Sequence, residues 1–225
     1  MLRNESYGSD TNAPDASALQ PSLSATVVRV AWLAVLLGLG MELLLIVVIG
    51  VFGFAPGVKT IVADFVRQVS WSIFVCVGLA FGTVASRMRA QLMGLLGLFS
   101  APLAFNAARI MHQGASKALA IAGPSADTFS LILPLSVLKG VEYALLGVAI
   151  GWVGRRPWGG ATAHIGVGLV IGILFGVTIT GLTYLGATSA PTTVDLISRA
   201  VNEIFFPVGC SLVLYSAEVL GKKAA

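Results

Sequence analysis

Apolar and polar positions alternate along this chain on a long scale. Six apolar stretches, near 28–54, 61–86, 90–110, 129–154, 163–187 and 195–220, are divided by short segments that collect proline and charge. Each is long enough to cross about 30 Å of hydrocarbon at about 1.5 Å per residue, and a chain in lipid must satisfy its backbone hydrogen bonds internally, as a helix does. The pattern predicts an all-α integral membrane protein, a six-helix bundle over 27–225.

Met1 to Thr26 breaks this pattern. It is rich in Ser, Ala, Asn and Asp, holds Pro14 and Pro21, and has no apolar periodicity, so a flexible cytoplasmic tail is expected. The run from Val27 to Phe54 is far longer than a secretory signal core and lacks a small-residue cleavage pattern near its start. The first helix is therefore expected to stay in the mature protein.

The boundaries recur. Basic stops follow the second, fourth and sixth stretches in Arg87, Arg155-Arg156 and Lys222-Lys223, and prolines open these stretches in Ala55-Pro56, Gly123-Pro124 and Ala190-Pro191. The interval is roughly 68 residues, which predicts three tandem two-helix hairpins, about 27–88, 89–157 and 158–223, around a pseudo-threefold axis. The odd stretches carry Leu36-Leu37-Gly38-Leu39, Leu95-Leu96-Gly97-Leu98 and Val170-Ile171-Gly172-Ile173. Gly78 and Gly82, and Gly147 and Gly151, recur at four-residue spacing in the second and fourth, while the sixth departs with Leu214 and Glu218. Arg67-x-Val69 and Arg199-x-Val201 precede Phe74 and Phe206 at one spacing.

Composition agrees with this class. Apolar residues make up 56% of the chain, charged residues 11%, and the mean hydropathy is +0.91, leaving too little polar surface for a soluble domain. The net charge of +4 sits at every second boundary, which predicts cytoplasmic termini in an inner membrane and argues against nucleic acid as a partner.

Gly168, Gly172 and Gly176 form a smooth face at which another helix backbone approaches closely, placing the fifth helix at the centre or at a subunit contact. Pro102, Pro134 and Pro207 lie inside helical stretches and predict kinks. Ala108 to Asp127, with Arg109, His112 and Lys117, reads as the longest external connection, able to lie in the interface or fold back as a lid.

Candidate chemistry rests on ionisable residues at membrane depth, each costing about 2.5 to 3.5 kcal/mol at a helix centre on insertion scales. Glu42 lies near the middle of the first helix, and Lys139 and Glu142 share a face of the fourth. Contact between these helices would unite the three in a net-negative cluster able to hold a cation or proton, or a neutralising ion pair that fixes register. Asp64 and Arg67, and Asp195, Arg199, Asn202 and Glu203, begin the second and sixth helices. Dipole capping accounts for Asp64, Asp127 and Asp195, whereas Arg199 and Glu203 go deeper and suggest an outer vestibule or a protein interface.

No cofactor or metal is expected. His112 and His164 fall near opposite ends of the bundle, too far apart to clasp one haem, and Cys76 and Cys210 stand singly, as small buried apolar residues. No phosphate loop, nucleophile elbow or His-Glu-x-x-His motif is present, so the chain reads as no enzyme. Two functions fit: a protein that binds or transports a small solute or ion through Glu42, Lys139, Glu142, Arg199 and Glu203, or a non-catalytic subunit that anchors a larger membrane complex. Lipid is the expected partner in either case, with further copies of the chain fitting the first function and other membrane subunits the second.

Overall fold

The computed structural model describes residues 23–84, 88–121, 129–187 and 190–224. These form α1 (Leu23–Val51), α2 (Val58–Phe81), α3 (Arg89–Ala118), α4 (Phe129–Val153), α5 (Ala161–Gly186) and α6 (Thr193–Ala224), with a 3-10 turn at Gly82–Val84 after α2. All six helices are long and apolar enough to cross a membrane.

Two ends differ from the sequence reading. Helix α1 begins at Leu23, inside the stretch assigned to the tail; residues 1–22 lie outside the described residues. Helix α3 runs on to Ala118, so Arg109, His112 and Lys117 are helical rather than part of a connection. Ala107, Ala108, Ala115 and Ala118 are strong helix formers, and Met111 packs back on α2, where the Ser70 hydroxyl lies 2.8 Å from its sulfur. Ala120 adopts a positive φ of 51° just past the helix. Residues 122–128, with Pro124 and Asp127, lie outside the described residues, as does Arg87. Helices α3, α4 and α6 continue through Pro102, Pro134 and Pro207.

Each helix packs on the next in the chain, and α6 closes the ring on α1 while also touching α2 and α4. The helix with most neighbours is therefore α6, not α5. The glycine face expected to make α5 central instead seats it on α6: a Cβ at Gly168 would stand 2.6 Å from Val208 Cα, one at Gly172 3.0 Å from the Ile204 carbonyl carbon, and one at Gly176 3.3 Å from Glu203 Cβ. Gly82 meets Met93 of α3 and Gly151 meets Ala90 of α3 in the same way, at 2.6 Å from each Cα. Glycines thus let the helix backbones approach closely at these contacts.

The core is built by Val75, Leu79, Met93, Tyr143, Leu146, Ile150, Ile179 and Phe206, while Leu36, Val47, Leu103, Val170, Leu174 and Val177 are exposed. Such helices are apolar on both faces, which is consistent with contact with a lipid bilayer.

Two sets of polar ties lie at the ends of the bundle. Beside the basic segments, Arg89 Nη2 donates to Glu218 Oε2 at 2.6 Å and Arg29 Nη1 to the Ala217 carbonyl at 3.3 Å, fastening α3 and α1 to α6. At the proline-bearing end, Asp64 Oδ1 is shared by Arg67 at 3.1 Å and His112 at 3.3 Å, joining α2 to α3. Thr192 and Asp195 form a reciprocal capping box at the start of α6, with the Asp195 amide donating to Thr192 Oγ1 at 3.2 Å and the Thr192 amide to Asp195 Oδ2 at 3.2 Å. Asp195 is thus a cap.

Candidate functional site

Lys139 and Glu203 each sit ten residues into helices that start at the same end of the bundle, as does Gln68 in α2, which places all three about 15 Å deep at 1.5 Å per residue. Glu42 lies nine residues before the end of α1, at a similar depth. This polar layer therefore lies about half-way along α2 and α4, helices long enough to cross about 30 Å of hydrocarbon.

The layer centres on Lys139. Its Nζ donates to Glu142 Oε2, one turn on along α4, at 2.8 Å, and to Glu203 Oε2 across the contact with α6. The three side chains are nearly sealed, with residue exposures of 5%, 0% and 8%. Two aromatic rings complete the surroundings of the ammonium: its Nζ lies 5.4 Å from the Trp71 ring centroid and 5.6 Å from that of Tyr143. Trp71 meets Tyr143 edge-on at 5.6 Å and Phe206 at 5.9 Å, so α2, α4 and α6 each contribute one ring to a common cluster.

Charge makes this arrangement notable. Taking an isolated ion out of water costs several kcal/mol even after relaxation, so a buried ammonium persists only where carboxylates and further hydrogen bonds repay that cost. Here two carboxylates face one ammonium, and Glu142 Oε1 and the Tyr143 hydroxyl are buried without hydrogen-bond partners among the described residues. The site thus holds more acceptor capacity than Lys139 uses, with an aromatic wall that favours positive charge.

The sequence-derived candidates divide as follows. Lys139 and Glu142 pair as their spacing predicts. Glu42 is not their third member: α1 packs on α2 and α6, and the second carboxylate on Lys139 comes from Glu203. Glu42 is buried at a similar position along α1, its Oε2 without a hydrogen-bond partner among the described residues. Glu203 belongs to the mid-span cluster rather than to an outer vestibule, and it parts from Arg199, which is exposed and reaches Thr183 Oγ1 at 3.5 Å. The spacing shared by Phe74 and Phe206 does not give them equivalent places, since Phe74 is 45% exposed and Phe206 is buried.

Sequence reasoning missed the aromatic cluster and the bond from Gln68 Nε2 to Asn202 Oδ1, 2.5 Å long, which joins α2 to α6. One signal was present: Gln68 precedes Trp71, Lys139 precedes Tyr143 and Glu203 precedes Phe206 by about one helical turn. Gln68→Leu, which leaves the Asn202 amide without its partner, should cost about 1 to 3 kcal/mol, read as a lower thermal midpoint in detergent. An unchanged midpoint would show that the bond is dispensable.

Comparisons with protein-family models, with curated proteins and with solved structures find no match for this chain.

Proposed function

We propose that this chain is a multi-pass inner-membrane protein that binds or transports a small cation, proton included, at the Lys139, Glu142 and Glu203 cluster. The observation that carries this reading is the buried excess of carboxylate over ammonium at mid-span. Such charge is expensive inside a membrane and marks ion paths and proton relays where it occurs. Glu42, at the same depth, extends the acidic character of the layer.

The proposal includes three parallel hairpins with both termini cytoplasmic. Register supports it: Gln68 meets Asn202 and Cys76 meets Cys210, two contacts between α2 and α6 that each span 134 residues, about twice the interval of the basic stops. Helices equivalent by repeat and parallel around an axis meet at matching positions in this way.

The cation reading is tested by thermal unfolding of the purified chain in detergent with added sodium, potassium or ammonium chloride, and with choline chloride as the control. A ligand that binds the folded state raises the midpoint with concentration. One of the three small cations should raise it above the control, and Glu203→Gln should remove the effect. Midpoints that follow choline for all three would overturn the reading for these ions.

The subunit reading keeps one support, a shallow, open apolar depression between α2 and α3 whose lining includes Phe65, Val66, Val69, Ser70, Met111 and Ala115. The glycine faces of α2, α4 and α5, on which it would otherwise rest, are occupied by packing within the chain.

A further inference from the structure

Cys76 and Cys210 are the chain's only cysteines, 134 residues apart, and nothing in their spacing marks them as a pair. The contact between α2 and α6 brings their sulfurs to 3.3 Å, with both side chains fully buried. A disulfide bond is about 2.05 Å long, so the sulfurs must close by about 1.2 Å to bond. The two thiols therefore face each other across a helix interface, not as isolated apolar fillers.

We infer that Cys76 and Cys210 are a reversible disulfide site that staples α2 to α6. Two S–H bonds break and one S–S bond forms; the two electrons and two protons pass to an oxidant. Both sulfurs are closed off by the packed helices, so an oxidant acts on the pair only when the contact of α2 with α6 opens, and thiol exchange likewise requires a thiolate to reach a sulfur. The oxidant that suits such a place dissolves in hydrocarbon and accepts two electrons with two protons, as a quinone does on becoming a quinol. The bond lies one to two turns from Trp71 and Phe206, in the same two helices. It fixes the separation of α2 and α6, which also carry Gln68, Asn202 and Glu203.

With only two cysteines, any bond within the chain is this one. The full-length protein in mild detergent is treated with duroquinone, whose fully methylated ring does not add thiols, or with copper(II)–phenanthroline as a general oxidant. It is then unfolded, alkylated with N-ethylmaleimide and weighed. The expected result with both reagents is a monomer lighter by two hydrogens that takes no alkyl group, takes two after dithiothreitol, and is absent from Cys76→Ser and Cys210→Ser. Two free thiols after copper(II)–phenanthroline, or a disulfide between chains in place of the internal one, would overturn the pairing. Linkage by copper(II)–phenanthroline without linkage by duroquinone would overturn the quinone as oxidant.

Discussion

Lys139→Met should destabilise the protein by about 3 to 5 kcal/mol, the usual cost of removing one partner of a buried ion pair. The loss arises less from the contacts removed than from what remains: Glu142 and Glu203, both buried, have no cation between them. Neutralising them at the same time should therefore return most of the stability. The triple variant Lys139→Met, Glu142→Gln, Glu203→Gln should unfold within about 1 to 2 kcal/mol of the wild type, since replacing a whole buried ionic cluster is often nearly neutral. Thermal or denaturant unfolding of both variants in one detergent makes the comparison. A triple variant as unstable as the single one would mean that packing of the Lys139 stem against Trp71 and Tyr143, not charge, sets the cost.

Gly172→Leu should separate α5 from α6 and leave little folded protein, whereas Gly166→Ala on the same helix should change stability by about 1 kcal/mol or less. A Cβ at Gly172 would press on the Ile204 backbone, which no rotamer change can move aside, while one at Gly166 would meet nothing within 4 Å. Overpacking a close contact costs about 1 to 3 kcal/mol for added methylenes in ordinary cores, and a leucine against backbone exceeds that case. Yield of monodisperse protein and thermal midpoint report the difference. Equal behaviour of the two variants would show that the α5 glycine face is not a packing surface.

Much of the helical plan was legible because it is written in long apolar runs. A span needs about twenty apolar residues, and the six runs stand out for that reason alone. Neighbour relations were not legible, since helices apolar all round give no amphipathic stripe to say which face meets which partner. Glu42 and Glu203 illustrate the point: both are acids at comparable depth, and only the contact of α4 with α6 decides which one reaches Lys139. The glycine spacing in α5 pointed to a close approach without naming its partner, which is α6. Cys76 and Cys210 were opaque for the same reason, because a pair across two helices leaves no local motif. The end of α3 was missed because Arg109, His112 and Lys117 resemble a loop by charge, although His112 pairs with Asp64 of α2 from within the helix.

The most direct test of the cation site is flux through vesicles reconstituted with the purified chain, under imposed gradients of protons, sodium or potassium, compared between the wild type and Glu203→Gln. That substitution leaves Lys139 with Glu142 and removes the second carboxylate. The account predicts flux of at least one of these ions through the wild type and its loss in Glu203→Gln, with the variant still monodisperse and helical. No flux of any of the three through the wild type would contradict transport, and equal flux through both proteins would contradict the site.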